Sequence, residues 1–343
     1  MKRVVVIGGG FAGTTVAKKL QNKCKVTLVD TEDFFEYTPG ILRVLVEPKH
    51  YEKIHVKHKD ALARTNVVIG HVLEIKDKFI SLTNGKKLNY DYLIIASGSN
   101  YNSPIKEEDT FFATRVKHLL EAHKKIQNYK NIVIVGGGLV GVELIAELAT
   151  HYKEKKITLI HSGPRLMERN NTKTRAYAKR FLEGRGVKII FNETINSKSR
   201  KKLIGKSGKE YDYDVAFFTV GIKPNVSFMK GDFSSYIEKG IVVNEYLQLS
   251  NRNKIFVAGD VSNIAEEKTA QNAENHGKVV AYNVLASIEG KKMKKYVSKK
   301  RLMVISLGKY SGIIEYKKFV ITGWIPALLK FLIERKVMYN LRR

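Results

Sequence analysis

Two stretches of this chain nearly repeat each other, and this repeat constrains the fold more than any other feature. Residues 4–20 read VVVIGGGFAGTTVAKKL, and residues 132–148 read IVIVGGGLVGVELIAEL. Each stretch starts with a run of apolar, mostly β-branched residues, continues through a GxGxxG turn and ends in a helical pattern. Strands that alternate with helices in this way are typical of parallel sheets. We therefore predict an α/β protein with two Rossmann-like dinucleotide-binding domains.

The glycines of the first turn have separate physical roles at a dinucleotide site. The first allows a tight turn, the second lets the backbone approach a pyrophosphate, and the third lets the helix pack on the strand. The phosphate then lies at the helix N-terminus, where free N–H groups and the helix dipole favour negative charge. The next strand ends in Asp30, whose carboxylate can accept hydrogen bonds from both ribose hydroxyls of an adenosine. The residues predicted to bind this nucleotide are Gly8, Gly10, Phe11, Ala12, Gly13 and Asp30.

The second turn repeats the phosphate-binding glycines as Gly136, Gly138 and Gly141, so the chain is expected to hold two dinucleotides. The strand after it ends in His161, at the place where NAD-specific sites usually carry an acid bonded to the ribose 2′-hydroxyl. With no carboxylate available to repel a 2′-phosphate, and with His161 or Arg165 able to pair with one, the sequence favours acceptance of NADPH. A surface histidine would tolerate either nucleotide, so the preference between NADH and NADPH stays open.

The stretch KIFVAGDVSN, residues 254–263, decides which turn binds which nucleotide. It resembles the second FAD fingerprint of the two-dinucleotide-binding flavoproteins, the pyridine nucleotide-disulfide oxidoreductase superfamily, in which the acid bonds a ribityl hydroxyl of FAD. YDYLIIASGS and AFFTVGIKPN resemble the two crossover strands of that superfamily. The resemblance implies FAD at the first turn and NAD(P)H at the second. The cofactor-binding residues that it adds are Val72, Ala96, Gly98, Gly221, Gly259 and Asp260.

The order of these motifs implies that the nicotinamide domain interrupts the FAD domain. We predict that residues 1–105 and 226–290 form the FAD-binding domain and that residues 106–225 form the NAD(P)H-binding domain. Residues 291–343 are predicted to contain a small appendage of two or three strands, followed by a helix with Pro326 in its first turn. Between the two turns, NVVIGHVLEI and KFISLTNGKKL are predicted to be antiparallel strands.

The cysteine content and two further stretches of sequence bear on the identity of the electron acceptor. Disulfide reductases and sulfide:quinone oxidoreductases need reactive cysteines, and this chain has only Cys24, which argues against both. The stretch TAQNAENHGKVVAYNVLASIEG, residues 269–290, resembles the AQ-containing segment of type II NAD(P)H:quinone oxidoreductases, which implies that Gln271 lies beside the flavin and the quinone. In the same family a glutamate two residues after the last glycine of the second turn lies near the nicotinamide and the flavin. That residue here is Glu143.

Gln271 and Glu143 are therefore the candidate catalytic residues, and both also belong to the predicted cofactor-binding set. The carboxylate of Glu143 would position the nicotinamide ring or relay a proton. The alternatives are that Glu143 only complements the N-terminus of its helix, and that the helix after Thr269 is simply a docking helix. The stretch DFFEYTPGILRVLVEP also resembles the flavin-side loop of this family and of the apoptosis-inducing-factor-like oxidoreductases.

The C-terminal helix carries an amphipathic pattern. It starts with Trp324 and ends in basic residues, a combination that interfacial helices use on anionic lipid. The predicted apolar side consists of Ile325, Leu328, Leu329, Leu332 and Ile333, with Lys330 and Glu334 opposite. We predict that this helix binds an anionic membrane surface, and the alternative is a helix packed on its own protein.

The charge of the chain favours anionic partners. Lys plus Arg total 61 against 33 for Asp plus Glu, a net charge of +28, although a solvated lysine-rich surface would show the same excess. No nucleic-acid-binding motif accompanies the charge, so no nucleic acid is expected, and no metal site is predicted. A strand close to Met1 and the lack of a long apolar run predict a cytoplasmic protein, peripheral on the inner face of the cell membrane. A homodimer is left open.

The sequence as a whole resembles a type II NAD(P)H:quinone oxidoreductase. The resemblance implies transfer of two electrons from NAD(P)H through FAD to a membrane quinone, without proton pumping. One alternative is a soluble NAD(P)H reductase that passes electrons to a ferredoxin- or rubredoxin-like acceptor, which the positive charge would suit. Another is a nucleic-acid-binding flavoprotein.

Overall fold

The computed structural model describes residues 1–101, 110–112, 116–299 and 302–343. Strands and helices alternate along much of the chain. The strands are β1 (Arg3–Ile7), β2 (Lys25–Asp30), β3 (Phe34–Glu36), β4 (His55–Lys57), β5 (Asn66–Ile69), β6 (Val72–Ile75), β7 (Phe79–Leu82), β8 (Lys87–Asn89), β9 (Tyr92–Ile95), β10 (Ser99–Tyr101), β11 (Thr110–Phe112), β12 (Asn131–Val135), β13 (Lys156–Ile160), β14 (Lys188–Ile190), β15 (Ile195–Ser199), β16 (Lys202–Gly205), β17 (Glu210–Asp212), β18 (Val215–Phe218), β19 (Ile222–Pro224), β20 (Gln248–Leu249), β21 (Arg252–Val257), β22 (Met303–Ser306), β23 (Gly312–Tyr316) and β24 (Phe319–Gly323). The helices are α1 (Phe11–Leu20), α2 (Tyr51–Ile54), α3 (His58–Ala61), α4 (Val116–Ile126), α5 (Leu139–His151), α6 (Thr172–Glu183), α7 (Ala270–Glu289) and α8 (Trp324–Arg342), with 3-10 helices at Thr38–Leu45, Pro48–His50 and Gly231–Tyr236.

The first large sheet has the strand order β20, β21, β9, β1, β2, β5. β1 lies at its centre and pairs in parallel with β2 and β9. Val4 and Val6 face one hydrophobic core and Val5 and Ile7 face another, so the strand is buried on both sides. β5 pairs in parallel with β2, so the prediction of antiparallel strands is wrong for NVVI and holds only from β6 onward. The connection between β2 and β5 contains α2 and α3 and is long enough for a parallel crossover.

The second large sheet repeats this plan. Its order is β11, β18, β12, β13, β14, and all four pairings are parallel. β12 occupies a central position, as β1 does in the first sheet, and each of these strands leads through a glycine turn into a helix, α1 or α5. The predicted α/β fold class with two Rossmann-like units is confirmed.

The remaining strands form small antiparallel sheets. They are the triples β6–β7–β8, β15–β16–β17 and β22–β23–β24 and the pairs β3–β4 and β10–β19. The triple β22–β23–β24 is the appendage that the sequence predicts, and α8 follows it directly. The division of the chain at residues 105, 225 and 290 stays a prediction, and its first boundary lies outside the described residues.

Candidate active site

The first glycine turn has the backbone that a dinucleotide site requires. Gly8 has a φ of +97°, and a Cβ on Gly13 would lie 1.8 Å from the carbonyl oxygen of Gly8, so neither position accepts a side chain. A Cβ on Gly10 would meet no protein atom within 4 Å. Gly10 precedes α1 without a side-chain cap hydrogen bond, so the N-cap side chain does not compete for the first N–H groups of the helix. This arrangement fits a pyrophosphate at the start of α1.

The second glycine turn has the same geometry. Gly136 has a φ of +115°, and a Cβ on Gly141 would lie 1.9 Å from the carbonyl oxygen of Gly136. A Cβ on Gly138 would again meet no protein atom within 4 Å, and α5 begins without a side-chain cap. Two phosphate cradles therefore exist in the fold, one at each large sheet.

Asp30 lies at the end of β2, where the sequence predicts a ribose-binding acid, and the structure adds a partner for it. Asp30 Oδ2 accepts the Gly9 N–H, and Oδ1 accepts the Thr31 N–H at 2.6 Å. The fully buried ring of His58 places Nε2 3.4 Å from Asp30 Oδ2. Burial raises the pKa of Asp30, but His58 and the backbone N–H groups outweigh it and leave the pKa below its usual value. Sequence reasoning missed His58, because no motif marks the stretch HKDA at α3.

The two predicted FAD motifs meet at Ala12 and Gly259. Gly259 has a φ of +80°, and a Cβ there would lie 3.2 Å from the Ala12 Cβ. The carbonyl oxygen of Ala96 would lie 2.3 Å from a Cβ on Gly8, so β9 also closes on the first turn. The structure thus brings these predicted residues together around one end of α1.

Phe11 and Val72 lie at the margins of this group. Phe11 begins α1 and contacts Phe35 edge to face, with ring centroids 5.0 Å apart. Val72 begins β6, two residues after Gly70, whose N–H donates to the carbonyl oxygen of Asp30 at 2.8 Å. Val72 is therefore close in the chain to the ribose acid and not to the phosphate turn.

Gly98 and Gly221 follow β9 and β18, one strand of each large sheet. Their φ values are +65° and +77°, a left-handed conformation that glycine adopts without strain. β10 and β19 start directly after these glycines and pair with each other, with Ser99 opposite Pro224. This pairing joins the chain segments that follow the two predicted crossover strands, β9 and β18.

Asp260 follows β21 and is largely enclosed by protein. Burial raises the pKa of its carboxyl group, while Lys268 and a 3.5 Å hydrogen bond from Ser99 Oγ act in the opposite direction. Lys268 Nζ donates to the carbonyl oxygens of Ser262 at 2.7 Å and Ile264 at 3.2 Å, and burial lowers the pKa of this lysine. Since the bond from Ser99 is long, the carboxylate has room to accept one from a ribityl hydroxyl. Sequence reasoning missed Lys268.

Gln271 lies in the first turn of α7, at the same end of the fold as the first glycine turn. Thr269 caps this helix, since its Oγ1 accepts the Asn272 N–H at 3.2 Å. A Cβ on Gly277 would lie 2.6 Å from the carbonyl oxygen of Ala12, so the N-terminal half of α7 packs at the start of α1. The Gln271 side chain is exposed and free to contact a ligand.

Glu143 is buried in α5 and is held by the C-terminal segment. Its Oε1 accepts the Ser306 N–H at 2.8 Å and a proton of Lys330 Nζ at 2.8 Å. Ser306 ends β22, and Lys330 lies in α8. These contacts go beyond a complement to the helix N-terminus, and sequence reasoning did not find Lys330 as the partner. The catalytic role of Glu143 stays a prediction.

A second contact lies one turn further along α8. Glu334 Oε2 is 3.3 Å from Nε2 of the buried His50. Burial, and then the charges of Glu334 and Glu143, raise the pKa of Tyr37 well above its usual value, so this phenol lies beside both acids. Lys330 and Glu334, which the sequence placed opposite the apolar side, therefore form the protein-facing side of α8.

The outward side of α8 and of the neighbouring β24 is apolar. We call these side chains the outer face, and they are Phe319, Ile321, Trp324, Ile325, Leu328, Phe331 and Leu332. Trp324 is 67% exposed and Leu332 is 52% exposed. Leu329 and Ile333, which the helical wheel adds to this side, are only partly exposed. On soluble proteins, large exposed apolar patches mark sites of interaction with protein or lipid.

His161 takes the place in the second unit that Asp30 takes in the first. Its Nδ1 accepts the Gly137 N–H at 3.1 Å, as Asp30 accepts the Gly9 N–H. Burial lowers the pKa of His161, so at neutral pH the ring is uncharged and carries its proton on Nε2. An uncharged ring attracts a 2′-phosphate less than an imidazolium does, and the preference between NADH and NADPH stays a prediction. The carboxylate of Glu168 lies beside His161, and sequence reasoning did not find it.

Membrane spans and metal sites concern residues 1–101, 110–112, 116–299 and 302–343, which the structure describes. Among these residues, no helix combines the length and the hydropathy that crossing a bilayer takes. No group of three or more His, Cys, Asp or Glu side chains suited to a metal ion occurs among them either.

Comparison with known proteins identifies the family. The family described as "Pyridine nucleotide-disulphide oxidoreductase" matches residues 2–277. Apoptosis-inducing factor homolog A of Dictyostelium discoideum is 32% identical over 362 residues, covering 96% of this chain and 88% of the relative. The sulfide:quinone oxidoreductase of Aquifex aeolicus has a similar fold, with a TM-score of 0.88, 22% identity, and coverage of 100% of this chain and 92% of that one. NDH2 of Plasmodium falciparum, solved in complex with NADH, has a TM-score of 0.88 at 15% identity, with coverage of 99% and 96%. The predicted family resemblance and the predicted cofactors, FAD and NAD(P)H, are confirmed.

Proposed function

We propose, since this chain belongs to the pyridine nucleotide-disulphide oxidoreductase family, that it transfers electrons from NAD(P)H through FAD to a quinone held in a membrane, without pumping protons. The chain is a flavoenzyme of the NAD(P)H:quinone oxidoreductase type. The observation that carries the membrane quinone is the orientation of α8. Its outer face is apolar, while Lys330 on its inner side contacts Glu143 beside the second glycine turn. One helix thus connects a lipid-binding surface with the nicotinamide unit.

The cofactors fit the residues that are present. The open helix starts at Gly10 and Gly138 would hold the two pyrophosphates, Asp30 would accept the ribose hydroxyls, and Asp260 would accept the ribityl hydroxyl. FAD, when bound, accepts a hydride from NAD(P)H and releases electrons to the acceptor. Gln271 and the N–H groups at the start of α7 stabilise the negative charge that this transfer creates.

Glu143 and Lys330 supply the proton chemistry. Reduction of a quinone to a quinol takes up two electrons and two protons, of which NAD(P)H brings both electrons and one proton. The second proton comes from water, and the Lys330 ammonium can hold it at the 2.8 Å contact with Glu143 Oε1. The Ser306 N–H, bonded to the same oxygen, keeps the carboxylate oriented toward Lys330 while that proton moves.

The outer face would dock the protein on the bilayer surface from which the quinone enters. Trp324 and Phe319 supply aromatic rings, which favour the interface. Arg335 and Lys336 are exposed in α8, and the net charge is +28. Anionic headgroups near such residues contribute about 1 kcal/mol for each basic side chain. The inner face of the cell membrane has the corresponding anionic lipid.

Flotation with anionic liposomes tests this function. The double variant Leu328→Glu, Leu332→Glu should keep FAD and the Lys330 contact but lose liposome binding, since both changes lie on the outer face. Turnover with a long-chain quinone in liposomes should fall, while turnover with a short-chain soluble quinone should stay within about twofold. The control variant Val297→Glu, Leu73→Glu places the same charges at exposed apolar residues elsewhere.

The outcome also decides between this function and a soluble reductase. If the control variant loses liposome binding to the same extent, the loss is a general effect of the added negative charge. Unchanged flotation of the outer-face variant would refute docking by this surface. Failure to reduce any quinone, together with rapid reduction of an acidic ferredoxin, would favour a soluble reductase, which the charge of +28 would also suit.

A further inference from the structure

The loop after β13 returns to the second glycine turn and is fixed there. The Met167 N–H donates to the carbonyl oxygen of Gly137 at 2.9 Å. Met167 has a φ of +44°, and its side chain and that of Leu166 are buried at 3% and 2% exposure. A left-handed conformation at a long side chain persists only where packing holds it. The residue that follows, Glu168, is therefore held close to the turn although its side chain is exposed.

Gly163 shows where the carboxylate of Glu168 lies. A Cβ built on Gly163 would lie 2.0 Å from Glu168 Oε1 and 3.0 Å from His161 Nε2. The carboxylate and the outer nitrogen of the imidazole therefore lie on one side of the Gly163 backbone. Since His161 Nδ1 accepts the Gly137 N–H, Nε2 carries the ring proton and is turned toward this same side.

The end of β2 in the first nucleotide unit can be compared with the end of β13 and the loop that follows it. There the end of the second strand provides both an acceptor for the glycine-turn N–H and a carboxylate for the ribose, and Asp30 serves as both. In the second unit the two tasks are divided. His161 accepts the N–H, and Glu168 brings the carboxylate from seven residues further along the chain.

We propose that Glu168 accepts hydrogen bonds from the adenosine ribose hydroxyls of the nicotinamide nucleotide and makes this site select NADH over NADPH; this inference depends on the proposed nicotinamide site. A carboxylate accepts both neighbouring hydroxyls of a ribose, whereas it repels the dianionic 2′-phosphate of NADPH.

Two arginines also lie in the loop after β13. Arg165 is exposed on the same loop, and Arg169 Nη1 pairs with Glu267 at 3.2 Å. Arg165 is thus the competing residue, since an exposed guanidinium is the usual partner of a 2′-phosphate. Both side chains are exposed, but the Glu168 carboxylate lies on the same side of Gly163 as His161 Nε2, so we expect Glu168 to decide the selection.

The test measures binding of two ligands that cannot donate a hydride, ADP-ribose and 2′-phospho-ADP-ribose, to the FAD-loaded protein by calorimetry. The wild type should prefer ADP-ribose. Glu168→Gln should reduce that preference at least about tenfold, by removing a negative charge from the phosphate site. Glu183→Gln, which removes an exposed carboxylate at the end of α6 in the same unit, is the matched control and should leave the preference unchanged.

Three results would overturn the inference. If Glu168→Gln changes neither affinity, the carboxylate does not face the ribose, while the proposed function is unaffected. If the wild type prefers 2′-phospho-ADP-ribose and Arg165→Gln abolishes that preference, Arg165 selects the nucleotide and the site favours NADPH. If neither ligand binds the wild type, the second glycine turn is not a nicotinamide site, and the proposed function fails together with this inference.

Discussion

Lys330 Nζ lies 2.8 Å from Glu143 Oε1 and joins the C-terminal helix to the helix that follows the second glycine turn. The two residues are 187 positions apart, and their side chains are 17% and 12% exposed. Removing one member of an ion pair in such surroundings leaves the other charge poorly compensated. The outer face and the proposed proton donor therefore share one rigid element.

We expect Glu143→Gln to keep FAD bound and to slow reoxidation of the flavin by quinone about a hundredfold, because a neutral amide holds the Lys330 ammonium in place less strongly than a carboxylate does. Lys330→Met should give a loss of the same size, and the double variant should be no slower than either single one. Stopped-flow absorbance separates reduction of the flavin by NADH from its reoxidation. Glu154→Gln, at an exposed glutamate beside Lys155, is the control. Full reoxidation rates in both single variants would leave the pair with a purely structural role.

A reciprocal pair of glycine variants tests the assignment of the two turns. Gly10→Val should yield protein without flavin, since its side chain would occupy the open space at the start of α1. Gly138→Val should retain FAD and lose affinity for ADP-ribose, because the same space lies at the start of α5. Flavin absorbance after gel filtration and calorimetry give the two readouts. The opposite pattern would exchange the two sites.

The glycine turns could be predicted because their chemistry is local. Strand, turn, helix and terminal acid follow one another within about thirty residues, so periodicity and spacing suffice to place them. Lys330, His58 and Glu168 were out of reach, because their roles depend on which distant backbone the chain folds against. A helical wheel shows which residues of α8 share a side, but it does not show that Lys330 meets Glu143 and Glu334 meets His50.

His58 should matter for FAD although no motif marks it. Its ring is fully buried with Nε2 3.4 Å from Asp30 Oδ2, so it orients the predicted ribose acid. We expect His58→Phe to raise the dissociation constant of FAD about fivefold. This change corresponds to the net free energy of roughly one hydrogen bond. Flavin fluorescence on dilution measures the release. His55→Phe, at the partly exposed histidine stacked on Tyr51, is the control, and equal affinity in the two variants would contradict the role.

The lowered pKa of His161 predicts a pH dependence of stability. A histidine in the unfolded chain has a pKa of about 6.5. Above that pH the His161 ring is neutral in the folded and the unfolded state, and the hydrogen bond from the Gly137 N–H contributes fully to the free energy of unfolding. As the pH falls below that value the unfolded chain takes up the proton first, so this contribution is lost. His161→Asn keeps an acceptor without a titrating group and should reduce the fall in melting temperature between about pH 7.5 and 5.5. His151→Asn, at an exposed histidine, should not. His276, whose pKa burial also lowers, leaves part of the fall in every variant.

Truncation after Gly323 should have two separable effects. It removes the outer face of α8, so liposome binding should be lost, as in the Leu328→Glu, Leu332→Glu variant. It also removes Lys330 and Glu334, leaving the carboxylate of Glu143 buried without its cation, a change that costs about 3–5 kcal/mol. We therefore expect the truncated protein alone to show a lower melting temperature and slower reduction of a short-chain quinone, while the double variant keeps both near wild type. Differential scanning fluorimetry and soluble-quinone assays on the two proteins make the comparison. If the truncated protein melts like the wild type and reduces the soluble quinone at full rate, the contact between Lys330 and Glu143 contributes neither to stability nor to proton supply.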